Sequence, residues 1–149
     1  MRRSRGYAPF PVRLPIEVAP TLAVGGELKA TFCLASGTDA FMSQHIGDME
    51  NLETLEAFTA AVDHMTGLFR IDPELIVADL HPRYLSTRWA EDQFGDRVAH
   101  VQHHHAHIAS VMTENRHTEP VIGFSFDGTG YGTDGTIWGG EILMGNLDG

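Results

Sequence analysis

Five of the nine histidines fall between His100 and His107, most of them in the run Val101-Gln-His-His-His-Ala-His107. Residues i and i+4 of a helix share a face, with Cβ atoms ~6 Å apart. His103 and His107 have that spacing and can present two imidazole nitrogens at ~2.0–2.1 Å to one metal ion. His104 and His105 lack it with each other. An isolated pair would be read more simply as a helix start with partly exposed histidines; the density of this cluster favours metal or phosphate chemistry.

A second chemistry-bearing stretch is Asp127-Gly-Thr-Gly-Tyr-Gly-Thr-Asp-Gly135, followed by Trp138-Gly-Gly-Glu141. A carboxylate at the end of a buried strand can hold a cation, while backbone N–H groups of a glycine-rich loop approach phosphate oxygens. Asp127 is therefore the candidate third ligand, and Gly128, Gly130, Gly132, Gly139 and Gly140 are candidate cofactor-binding positions. A plain glycine-rich hairpin is the competing view. The third stretch is Asp79-Leu-His-Pro82, where Asp79 and His81 are candidates for substrate contact and His81 equally suits a loop before a helix-opening proline. Lys29, the only lysine, is a candidate phosphate contact or a solvated strand-edge charge. No Ser–His–Asp pattern, Walker loop or dinucleotide fingerprint is present, and the spacing of Gly128 to Gly132 suits neither phosphate motif.

These residues need a scaffold. Prolines 9, 11, 15 and 20 make residues 1–20 read as an extended linker. Residues 21–25, 30–36 and 40–45 are short apolar runs separated by the turn signals Gly25-Gly26 and Ser36-Gly37-Thr38-Asp39, which predicts a three-stranded meander. Over residues 51–69, Leu52, Leu55, Phe58, Val62, Met65 and Phe69 recur at steps of three and four and predict a helix, capped by Asp48 or Asn51. Residues 74–80 read as a buried parallel strand. A helix over 83–94 closing at Gly95, a strand over 97–102 and a helix over 103–115 follow. Strands at 121–126 and 136–144 enclose the glycine-rich loop. Residues 20–36 and 120–144 share a plan of proline, apolar strand, glycine loop and second strand. The expected fold is α/β, with a first repeat βββαβαβα and a second repeat stopping after two strands.

Composition is that of a globular protein: 149 residues, 42% hydrophobic and 20% charged, which suffices for one core. Net charge is −10, and four of the ten basic residues lie in the first thirteen positions, where there is no acid. The remaining 136 residues carry six basic and twenty acidic side chains, a net −14 that disfavours nucleic-acid binding. No apolar run reaches the ~20 residues of a membrane helix. The single Cys33 excludes an internal disulfide and a cysteine-cluster zinc site, and its strand-like setting suits a core thiol better than a nucleophile. The Arg-rich start is followed by prolines rather than a signal-peptide core, so a cytoplasmic location is expected.

Arg2-Arg-Ser-Arg-Gly-Tyr-Ala-Pro9, Leu28-Lys-Ala-Thr-Phe-Cys-Leu34, Ser43-Gln-His-Ile-Gly-Asp48, Asp79-Leu-His-Pro82, the histidine run and Asp127-Gly-Thr-Gly with Trp138-Gly-Gly-Glu141 occur in this order. Together they resemble the HypF family of hydrogenase-maturation carbamoyltransferases, over nearly the whole chain. Members of that family join acylphosphatase-like, zinc-finger and carbamoyl-adenylate-forming domains to a terminal domain of the actin-like ATPase (ribonuclease-H-like) fold. The resemblance implies that residues 1–20 are the tail of the adenylate-forming domain and a linker. Residues 21–149 would then be part of the transferase domain, with 120–149 opening its second repeat.

The same resemblance implies an activity. Carbamoyl phosphate and ATP, with Mg, yield carbamoyl adenylate, and the carbamoyl group passes to the C-terminal cysteine of a hydrogenase-maturation partner protein. His103 and His107 match the family's metal-binding histidines and Asp127 its nearby carboxylate, with zinc or iron as the divalent metal. A further acidic ligand is expected outside this stretch. No nucleic-acid or membrane partner is implied. The alternatives are a relative that transfers threonylcarbamoyl to tRNA, and a non-catalytic fragment.

Overall fold

The computed structural model describes residues 10–147, so the match at residues 2–9 lies outside the described residues. Two strands, β1 (Val12–Val24) and β2 (Phe32–Met42), form an antiparallel pair. They are followed by α1 (Leu52–Phe69), β3 (Leu75–Asp79), α2 (Leu85–Phe94), a 3-10 turn at Gly95–Arg97, β4 (Val98–Val101) and α3 (His103–Glu114). The strand order is β2-β1-β3-β4, with β3 parallel to both β1 and β4. Beyond α3, β5 (Val121–Ser125) pairs antiparallel with β8 (Glu141–Gly145), and the short strands β6 (Gly130–Tyr131) and β7 (Ile137–Trp138) pair between them. Among the described residues no helix is long and apolar enough to cross a membrane.

Two expectations about the first repeat need correction. The meander has two strands, not three, so the observed order is ββαβαβα. Gly37, with φ 59°, pairs with Val18 where the register of β1 against β2 shifts. The Ser36–Asp39 turn signal therefore marks a bulge inside one strand, where glycine takes the left-handed backbone at little cost. The proline-rich stretch is likewise not a linker throughout, because β1 begins at Val12 and runs through Pro15 and Pro20. Proline is tolerated where a strand's N–H groups are not all needed, and the register shifts fall between Arg13 and Thr21. The strand expected over 136–144 divides at Gly139-Gly140 into β7 and β8.

The rest follows the periodicity. Asn51 caps α1, accepting the Thr54 N–H at 2.9 Å, while Asp48 accepts the Lys29 N–H instead. Phe58 and Val62 are the buried part of the α1 stripe; Leu52 at its start is exposed. They join Leu22, Phe32, Leu34 and Ile76 from the sheet and Trp89 from α2 in one core. Gly95, with φ 56°, ends α2 as its C-cap. On the second unit, Ile122, Phe124, Ile142 and Met144 are exposed on the β5–β8 pair.

Candidate metal centre

The parallel strands set the site. Asp79 is the last residue of β3 and pairs in register with Val101 at the end of β4. One residue on, Gln102 caps α3 by accepting the His105 N–H at 2.9 Å, so α3 starts at the carboxyl edge of the sheet, where open α/β folds place their sites. Asp79 Oδ2 then lies 2.7 Å from His103 Nδ1, and Asp79 Oδ1 accepts the His81 N–H at 2.8 Å. In the neutral ring the His103 Nδ1–H donates to this carboxylate and Nε2 carries the lone pair; in the charged ring Nε2–H can donate as well.

Three ligand atoms converge on one point. His103 Nε2, His107 Nε2 and Asp127 Oδ2 are each 3.1 Å from the other two. Ligands ~2.0–2.1 Å from a tetrahedral ion stand ~3.3 Å apart, so the triangle fits a single divalent cation. Two imidazole lone pairs and a carboxylate oxygen facing one another need a positive charge between them, a metal ion or a proton. Asp79, its side chain 7% exposed, stands behind His103 as the carboxylate that fixes ring orientation and tautomer in metal–histidine sites.

The electrostatics agree. The Asp79 hydrogen bond, aided by Asp127, holds the His103 pKa above the ordinary histidine value against the opposing effect of burial. Hydrogen bonds from His103 and His107 hold Asp127 below the usual carboxylate range. In the metal-free fold a raised His103 pKa stabilises the protein at pH below histidine's unfolded value, and that contribution fades as pH rises through the folded one. Metal must displace the His103 proton. Affinity is therefore expected to fall by at least about tenfold per pH unit once pH drops below the raised His103 pKa, with Asp127 still ionised. Competition titrations with zinc between pH 5.5 and 8.5 check this; a flat profile across the range contradicts it.

The remaining sequence candidates are placed as follows. His81 stacks on Tyr84 with ring centroids 4.1 Å apart and meets the edge of Tyr131 at 5.1 Å, so it belongs to an aromatic cluster beside Asp79. The Tyr84 pKa is raised by burial first and then by the nearby acids Asp79, Glu27 and Asp127. Lys29 is exposed in the β1–β2 connection, and among the described residues its side chain makes no ion pair; its distinctive feature is its own φ of 53°. Three of the glycines abut a ring: a Cβ at Gly130 would lie 2.7 Å from the His104 ring, one at Gly132 would strike Trp138, and one at Gly140 would lie 2.9 Å from the Phe126 ring. Gly128 and Gly139 face open space. Cys33 is half-buried and its thiol is pushed up to about 11 by burial, which suits the core reading.

Sequence reasoning missed two contacts. Asp79 buttresses His103 from behind, which a strand-end aspartate one strand over from the histidine run could have signalled. His104 is fully buried, with Nδ1 2.5 Å from Glu141 Oε2.

A mixed sheet with helices packed against it, carrying a cluster of two histidines and one aspartate at its carboxyl edge, is a domain of the actin-like, Kae1-like class. Comparison with known proteins narrows this. The HypF Kae1-like domain matches residues 17–114, and the second subdomain of the carbamoyltransferase Kae1-like domain matches residues 123–149. The chain belongs to the HypF family. It is 47% identical over 147 residues to carbamoyltransferase HypF2 of Cupriavidus necator, covering 97% of this chain and 18% of that protein. It is 49% identical over 148 residues to carbamoyltransferase HypF of Synechocystis sp., covering 96% and 19%. The crystal structure of full-length HypF in its phosphate- and nucleotide-bound form matches with a TM-score of 0.91 at 50% identity, over 99% of this chain and 23% of that one. The T. kodakarensis HypF structure matches at 0.88 and 44% identity, over 97% and 19%. The chain thus spans about a fifth of the length of these two relatives.

Proposed function

We propose that this chain supplies the metal-ligating half of a carbamoyltransferase centre that moves a carbamoyl group from carbamoyl phosphate, by way of an ATP-derived carbamoyl adenylate, to the C-terminal cysteine of a hydrogenase-maturation partner. The observation that carries the reading is the 3.1 Å triangle of His103 Nε2, His107 Nε2 and Asp127 Oδ2, backed by Asp79. Support comes from relatives named carbamoyltransferases and from a close structural neighbour described as phosphate- and nucleotide-bound.

In the transfer step the cysteine thiolate attacks the carbamoyl carbon, the bond from that carbon to the adenylate oxygen breaks, and AMP leaves with the electron pair. A divalent ion held here would supply positive charge to the phosphate oxygens on which the leaving group's negative charge collects. The chain's own part is to hold the ligands. Asp79 keeps His103 in the tautomer that presents Nε2, while Asp127 adds the negative charge that makes the pocket a cation site. Zinc and iron both suit this donor set, with Mg accompanying ATP.

The acidic body argues against the tRNA-acting alternative. The test uses the full-length protein with carbamoyl phosphate, ATP and a peptide ending in cysteine, with mass spectrometry reading the peptide. A carbamoyl thioester that disappears in Asp127→Asn supports the proposal. An unmodified peptide from protein that does form carbamoyl adenylate, or transfer that survives Asp127→Asn, refutes it.

A further inference from the structure

The three candidate ligands come from two different units. His103 and His107 ride on α3, which is anchored to the four-stranded sheet, whereas Asp127 follows β5 of the second unit. Something must hold these units in register to within a fraction of an ångström, because a ligand displaced by that much no longer reaches the ion.

His104 is placed to do it. It lies between the histidine ligands in sequence, on the same helix, and is fully buried. Its Nδ1–H donates to Glu141 Oε2 at 2.5 Å. Glu141 opens β8 and pairs with Ser125, the last residue of β5 and two residues before Asp127. From the other side, the His104 ring packs against the backbone of Gly130, three residues after Asp127, where a Cβ would come within 2.7 Å of ring atoms Cε1 and Nε2. The segment carrying Asp127 is thus gripped at both ends by one side chain on the helix that carries the other two ligands. A hydrogen bond from a fully buried ring is directional, and leaving that ring's donor unpaired is costly.

Resting on the metal-site reading above, we propose that His104 is a positioning residue: with Glu141 and Gly130 it bolts the Asp127 segment to α3 and so sets the metal geometry without touching the metal. The bolt needs a donor at the position of Nδ1, an acceptor at 141 and no side chain at 130.

The test measures zinc affinity by competition, cobalt(II) absorption and thermal stability on the full-length protein. Glu141→Leu and Gly130→Ala are expected to weaken zinc binding by about 10–100-fold, the range for partners that orient metal ligands, and to change the cobalt spectrum as Asp127 withdraws. Glu141→Gln keeps an acceptor and should restore affinity. The sharper rescue is His104→Asn combined with Gly130→Ala. Asparagine retains a donor near Nδ1 but lacks Cε1 and Nε2, the atoms an alanine Cβ would strike, so the double variant should bind better than Gly130→Ala alone. If the parent binds zinc and Gly130→Ala and Glu141→Leu bind it equally well, the bolt is wrong while the site stands. Affinity and stability that fall together, with neither rescue, also overturn it. A parent that binds no zinc removes the site itself.

Discussion

His107→Ala in the full-length protein is expected to lower zinc affinity by more than about 100-fold, beyond the 10–100-fold typical of losing an orienting partner, while leaving thermal stability nearly unchanged. The His107 side chain is 53% exposed, so little packing is lost with it. His103→Ala should remove metal binding to a similar degree but also destabilise the fold. Its ring is the partner of Asp79, whose side chain is only 7% exposed, and a buried carboxylate stripped of its donor costs about 1–3 kcal/mol. Two residues with the same role toward the ion therefore separate in a melting experiment. Equal melting temperatures for the two variants would contradict the placement of Asp79.

Phe58→Ala carries the largest expected effect on stability, a loss of about 3–5 kcal/mol by the usual cost of emptying a buried aromatic site. Phe58 is fully buried and meets Phe32 and Trp89 edge-on, at centroid distances of 5.5 and 5.1 Å. It thereby joins α1, β2 and α2. Trp89 is also held by its indole N–H, which donates to Thr59 Oγ1 at 2.9 Å, so it cannot swing inward without losing that bond. Urea denaturation of the protein and its Phe58→Ala variant measures the difference. A loss below about 1 kcal/mol, the scale of a conservative core swap, would mean that the three elements do not share one core.

Much of this was legible beforehand, for identifiable reasons. The α1 stripe, the ELIVADL strand and the i, i+4 histidines are local patterns, and local patterns survive folding when a buried face reinforces them. Asp127 could be named because a carboxylate closing an apolar strand has few structural uses. What escaped depended on contacts distant in sequence. Whether Ser36-Gly37-Thr38-Asp39 is a turn or a bulge is decided by the partner strand, since a glycine at positive φ serves both. Prolines 15 and 20 looked like a linker because proline weakens a strand wherever its N–H is needed, and only the pairing shows where it is not. At Gly130 and Gly132 the letter alone could not show that a ring packs where a side chain would stand, because those rings belong to residues elsewhere in the chain. Asp79 was visible as an acid at a strand end and Glu141 as part of the Trp138-Gly-Gly-Glu141 run, but their partners, 24 and 37 residues away, were not.

The central question is whether His103, His107 and Asp127 share one ion. Anomalous diffraction at the metal edge from crystals of the full-length protein grown with zinc tests this most directly. The expected result is a single peak bonded to His103 Nε2, His107 Nε2 and an Asp127 oxygen at ~2.0–2.2 Å, with Asp79 still on His103 Nδ1. Metal found elsewhere, with the three side chains bonded only to one another, would contradict it.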